Sequence, residues 1–222
     1  MKKMLFAIFL FSLCIFSQAQ SNPSPSASEK TAAKNDKAQR KDAKQDDDNP
    51  ADTPLHNGSN EFGVFVGGGN GFGKRSSTHM LYGGGRWGKV LTDNALHGWL
   101  RGNFEFGLEV QPIYKVFQEG DDATGAAFTP VILKWNFLHH GKVKPFASIA
   151  GGVLITNHDV PQNTNNLNFT PQGGFGIHYL TSPNRAVTTQ VKYLHVSNAS
   201  LSNQNSGING SIQFTIGYTW FK

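Results

Sequence analysis

Along residues 100–110, LRGNFEFGLEV, apolar and polar side chains alternate. Leu100, Phe104, Phe106, Leu108 and Val110 fall on one face, and Arg101, Asn103, Glu105 and Glu109 on the other. The final stretch, SIQFTIGYTWFK, repeats the pattern: Ile212, Phe214, Ile216, Tyr218 and Trp220 oppose Ser211, Gln213, Thr215 and Gly217. A period of two marks a strand whose two faces meet different surroundings. Segments of this kind are expected at 61–69, 78–90, 98–114, 126–138, 143–155, 167–179, 185–197 and 209–221, divided by Gly, Asn, Asp and Pro. No segment carries the 3.6-residue period of an amphipathic helix.

Strands of this pattern build either a soluble lipocalin-like barrel, apolar face inward, or an outer-membrane barrel, apolar face toward lipid. Three features select the second. Arg101, Glu105 and Glu109 share one strand face, as in the polar interior of a small barrel. Aromatic residues gather near strand ends (Trp87, Tyr114, Trp135, Tyr218 and Trp220), as interfacial girdles do. The chain closes on a strand ending Tyr-Thr-Trp-Phe-Lys, like the terminal strand of bacterial outer-membrane proteins. The expectation is an all-β fold, an eight-stranded antiparallel transmembrane β-barrel over 61–222. With an even strand number both ends of the barrel segment lie on the periplasmic side, and the last hairpin turns at the cell surface.

Composition adds an export route. Lys2 and Lys3, the apolar run 4–16 and the small residues of Ser17-Gln18-Ala19 read as a signal peptide over 1–19. The one cysteine, Cys14, falls inside it, so the exported chain has no disulfide or thiol chemistry. Residues 20–60 hold six Lys/Arg, seven Asp/Glu and no aromatic residue, the composition of a disordered periplasmic linker. The barrel segment carries twelve Lys/Arg and eight Asp/Glu. Its basic residues are scattered and the chain is exported, so no nucleic-acid partner is expected.

The candidate chemistry lies at the last hairpin. In RAVTTQVKYLHVSN, Val187, Thr189, Val191, Tyr193, His195 and Ser197 share the apolar face, and Ala186, Thr188, Gln190 and Lys192 the interior one. His195 and Ser197 therefore project together toward lipid near the outer leaflet. A serine hydroxyl within reach of an imidazole is the minimal acyl-transfer pair.

The string Tyr193-x-His195-x-Ser197-Asn198-Ala199, followed by Asn205-x-Gly207-x-Asn209 and a closing strand, resembles the lipid A 3-O-deacylase family of acyloxyacyl-hydrolase-like outer-membrane proteins. GGRWGKVLT at 84–92, FTPVILKWNF at 128–137, KPFASIAGGVL at 144–154 and FTPQGGFGIHY at 169–179 are similar to it more loosely. The resemblance implies an esterase that removes the 3-hydroxyacyl chain at position 3 of lipid A in the outer leaflet, without cofactor or metal. It makes Ser197 the nucleophile and His195 the general base. Asn198, by its side chain or the amides just after it, would help to hold the oxyanion.

One position departs from the family. Its best-known members place a glutamate twelve residues after the serine, where this chain has Asn209 and no acidic residue after Asp159. An asparagine can orient an imidazole through its side-chain oxygen but supplies no charge, so slower turnover is expected. On the last strand the lipid face takes even numbers, so Asn209 would point inward unless a bulge at Gly210 turns it outward. Without that bulge, Asn205 or Ser206 in the turn would orient the ring, or nothing would. A catalytically silent barrel with a structural or surface-interaction role is the competing reading.

The remaining motifs are weaker. His139-His140 reads as a turn before Gly141, and Asp121-Asp122 as a loop. The glycines of GGGNGFGK at 67–74 lack the strand–loop–helix setting of a phosphate loop. Lys74, Arg75 and Lys192 are candidate contacts for lipid A phosphates.

Overall fold

The structure is a computed structural model and describes residues 53–73, 76–139, 141–199 and 208–222, without the side chain of Asn209. The signal peptide, most of the linker, Lys74, Arg75, His140, Asn205, Ser206 and Gly207 lie outside the described residues. The strands are β1 (Asn60–Gly71), β2 (His79–Val90), β3 (Gly102–Phe117), β4 (Ala123–Phe137), β5 (Val143–Thr156), β6 (Leu167–Phe169), β7 (Gln172–Ser182), β8 (Arg185–Val196) and β9 (Ile208–Phe221). All pairings are antiparallel. The sheet runs β4-β3-β2-β1-β9-β8-β7-β5, with the short β6 beside β5, and a β4–β5 ladder closes it. The strands β6 and β7 both pair with β5 and are parted by Thr170 and Pro171, so together they make one crossing. The result is a closed eight-crossing antiparallel barrel, in which no spanning strand leaves an open edge.

Alternation settles the faces. Phe62, Val64, Val66, Leu81, Ile149 and Phe175 stand on the outside and are all exposed. The interior, by contrast, is filled by polar and charged side chains, the reverse of a lipocalin-like cavity. It is layered. At the end nearer residue 53, Leu55, Val90, Ala186 and Phe221 form an apolar plug. At the opposite end Met80, Tyr82, Tyr114, Leu154, Val196 and Ile208 belong to a second. Between them lies an ionic layer. Glu109 meets Arg86 at 2.8 Å and Lys192 at 3.5 Å, while Lys134 meets Glu105 at 2.8 Å and also pairs with Glu61. Three carboxylates face three cations, so each charge removed from water finds a partner. Gly88 makes room for this layer, because a Cβ there would stand 2.0 Å from Glu105 Oε1.

Three sequence expectations change. Arg101 lies one residue before β3 and outside the ionic layer; Leu100 closes a short 3-10 turn over Gly98–Leu100. Tyr114 belongs to no girdle: it is 2% exposed and stacks on Tyr82 inside the barrel, with ring centroids 5.2 Å apart. Its parity flips because the β3–β4 register shifts between Gln111 and Tyr114, beside Pro112, which has no N–H to give the ladder. Lys192 contacts no lipid phosphate, since it is 4% exposed and faces Glu109.

Candidate active site

His195 and Ser197 end the outward row of β8 as it rises from Thr189 through Val191 and Tyr193. Both are partly exposed, whereas Lys192, Leu194, Val196 and Asn198 on the other parity are buried. The two side chains thus share the lipid-facing surface, with Cα atoms about 7 Å apart by strand geometry. Neighbouring backbone pins them in place. The break at Thr170 and Pro171 lets the opposite chain step around them. His195 N–H donates to the Pro171 carbonyl at 3.0 Å, and Ser197 and Phe169 exchange backbone bonds of 3.0 and 2.7 Å. The imidazole and the hydroxyl are therefore presented from paired backbone, although they stand at a strand end.

Just beyond, the chain turns sharply. Ala199 adopts φ +50°, a conformation an L side chain rarely takes, and its N–H donates to Ser197 Oγ at 3.2 Å. Asn198 is 2% exposed and lies on the inner side, opposite Ser197. Of the two oxyanion donors that the sequence offers, the backbone amide after Asn198 is the one beside the hydroxyl.

The bulge at Gly210 is present. Leu194 pairs with Ser211 and Val196 with Ile208, so β9 spends three residues where β8 spends two. Ile208 and Ser211 are both fully buried despite opposite parity, which brackets Asn209 and Gly210 as the bulged pair. A Cβ at Gly210 would stand 2.6 Å from Cε2 and Oη of Tyr193, so a side chain there would have to displace that exposed ring. Tyr193, on the same outward row as His195, thus lies across the bulge.

Sequence reading missed one feature. Below Tyr193, a groove of about 440 Å³ opens on the lipid side, lined by residues including Phe137, Pro145, Phe175, Ile177, Val191 and Phe214. Its near end is a single register row, Phe175–Val191–Phe214. Each of these residues is legible as lipid-facing, but a concavity depends on how neighbouring strands meet.

Comparison with known proteins gives the family and the fold. The profile of the family described as Lipid A 3-O-deacylase (PagL) matches residues 80–219, more than half of the chain. Among solved structures, the outer membrane enzyme PagL superposes with a TM-score of 0.49 at 19% identity, covering 71% of this chain and 98% of that one. The N-terminal β-barrel domain of Pseudomonas aeruginosa OprF gives a TM-score of 0.50 at 16% identity, over 75% of this chain and 98% of that one. At 16% identity the likeness to the OprF domain is one of fold alone. No curated protein matches the chain.

Proposed function

The chain belongs to the lipid A 3-O-deacylase (PagL) family, and on that premise we propose that it is an outer-membrane esterase. It removes the 3-hydroxyacyl chain at position 3 of lipid A. The observation that carries this reading is the joint placement of His195 and Ser197 on the lipid face, at a strand end, beside the Ala199 amide. The apolar outer surface suits a bilayer, and the barrel end nearer residue 53 faces the periplasm. The hairpin after β8 then stands at the cell surface, where water reaches the site while lipid enters from the side.

In the first step Ser197 Oγ attacks the ester carbonyl carbon as its proton passes to the His195 imidazole. The tetrahedral intermediate collapses, and the sugar oxygen leaves with that proton. Water then attacks the acyl-enzyme, its proton again taken by His195. The 3-hydroxy fatty acid departs and Ser197 regains its proton. The negative oxygen formed in each step takes a hydrogen bond from the Ala199 amide. Expression in a bacterial outer membrane, followed by mass spectrometry of lipid A, tests the reading. Loss of one 3-hydroxyacyl chain is the expected result; unmodified lipid A with the barrel properly inserted would favour a silent barrel.

The third member is Asn209. An amide in place of a triad carboxylate orients the imidazole without stabilising its cation, and such an exchange can cost a serine protease about 10⁴ in turnover. Asn209→Glu is therefore expected to raise the deacylation rate more than about tenfold, and Asn209→Ala to lower it. Rates equal to the parent in both variants would remove Asn209 from the mechanism.

The groove is assigned to the distal part of the acyl chain. Six residues separate Val191 from Ser197, about 20 Å along the strand, comparable to the depth of one leaflet once strand tilt is counted. Val191→Trp fills its near end. The expected outcome is slower release of long acyl chains with little change for a short-chain ester, read by comparing kcat/KM for the two substrates.

A further inference from the structure

All four tryptophans of the chain, Trp87, Trp99, Trp135 and Trp220, lie at the barrel end nearer residue 53. Two of them build one surface. The register aligns Trp87 of β2 with Phe62 of β1, Phe62 with Trp220 of β9, and Trp220 with Arg185 of β8. This is one row across four adjacent strands, about 14 Å wide at the usual strand spacing. Its members point outward: Phe62 is 42% exposed, and the fully buried neighbours Glu61, Ala186 and Phe221 take the inner parity.

One step nearer the barrel rim is a second row. Lys89 pairs with Asn60, and Asn60 exchanges backbone bonds with Lys222 at 2.6 and 2.9 Å. Lys89, Arg185 and Lys222 are exposed. The Lys222 ammonium stands 5.8 Å from the centroid of the Phe62 ring. No acidic side chain shares the outward face of these four strands, since Glu61 turns inward to Lys134. The exposed side-chain carboxylate of Asp93, in the loop after β2, accepts a bond from Asn57 at 3.5 Å.

An aromatic shelf flanked by Arg185, with Lys89 and Lys222 on its rim side, has the layout of a lipid–water boundary. The rings sit at the level of the acyl-chain roots, and the cations at the level of the phosphates. We propose that this row on β2, β1, β9 and β8 is a binding patch for the phosphodiester headgroup of anionic phospholipid in the inner leaflet. Arg185 and Lys89 flank the phosphate, Lys222 is steadied by Phe62, and the acyl chains descend over Val64 and Tyr218. The chemistry is that of a phosphate attached to two chains, because a free phosphate would find the cations but leave the shelf unused. The inference is independent of catalysis and rests only on the orientation proposed above.

The test uses the full chain in neutral detergent. Phosphatidylglycerol and phosphatidylcholine are offered in equal amounts, and native mass spectrometry counts the lipids retained. At about fivefold per interfacial cation, the parent is expected to keep phosphatidylglycerol at least about fivefold in excess. The combined variant Lys89→Gln, Arg185→Gln, Lys222→Gln loses the preference, while Lys115→Gln at the opposite end keeps it. Inorganic phosphate leaves lipid retention unchanged. An equal preference in parent and triple variant overturns the patch, as does displacement of the lipid by inorganic phosphate. Folding of each variant is read from heat-modifiable gel mobility, with single substitutions replacing the triple one if it fails to fold. Orientation is read separately: Leu96→Cys should react with a membrane-impermeant maleimide only in permeabilised cells. Labelling in intact cells would overturn the inner-leaflet assignment.

Discussion

Lipid A from cells carrying the Ser197→Ala variant is expected to keep its full set of acyl chains, while the parent strips one 3-hydroxyacyl group. The substitution removes a single oxygen. That oxygen accepts the Ala199 N–H at 3.2 Å, at a partly exposed position on the lipid side. It takes no part in the β8 ladder, whose backbone bonds through His195 and Ser197 remain. The barrel should therefore insert normally and show unchanged heat-modifiable mobility. The effect on rate should be large, because without the hydroxyl there is no acyl-enzyme and His195 has no proton to take. Loss of a nucleophile from such a unit costs at least about a thousandfold. Residual deacylation near the parent level would exclude Ser197 as nucleophile. His195→Ala should fall to a similar level, and the double variant should be scarcely worse than either, since the pair acts as one unit.

The second large effect is on stability. Glu109 holds two buried cations: Arg86 Nη2 and Nε donate to its Oε2 at 2.8 and 3.1 Å, and Lys192 Nζ stands 3.5 Å from its Oε1. Glu109→Ala leaves both without their carboxylate inside a closed barrel. Removing one partner of a buried pair costs about 3–5 kcal/mol, mostly the penalty of the charge left behind. The urea midpoint of the refolded barrel should fall accordingly. Lys115→Ala provides the contrast. Lys115 and Asp122 are 3.7 Å apart and both more than two-fifths exposed, so the loss should stay within about 1 kcal/mol. Equal effects of the two substitutions would show that the ionic layer does not hold the barrel together.

Much of this molecule can be read from alternation. The eight expected segments match eight crossings, and the assignment of faces on β8 and β9 follows the pattern of burial. The reading goes astray where a strand gains a residue. Tyr114 turns inward because the ladder slips beside Pro112, a shift that a strict period of two does not contain. At Gly210 the same kind of slip could be expected, since a glycine stands where parity and chemistry conflict. The Tyr193 ring that lies against it, however, comes from a strand fifteen residues or more away. Lys192 shows a further limit. Its inward parity was legible, but its carboxylate partner lies on β3, across the barrel interior.

The sequence by itself determined the membrane face, the number of crossings and the side on which His195 and Ser197 stand. Those follow from the two-residue period of a strand, which is a local property. Only the tertiary structure decided which charges share the interior and where the lipid-side groove opens. Each of these joins residues that are remote along the chain, brought together by closure of the sheet. The break at Pro171 and the row Trp87–Phe62–Trp220–Arg185 both depend on the register between strands. Register is set by the whole barrel and not by any one segment of it.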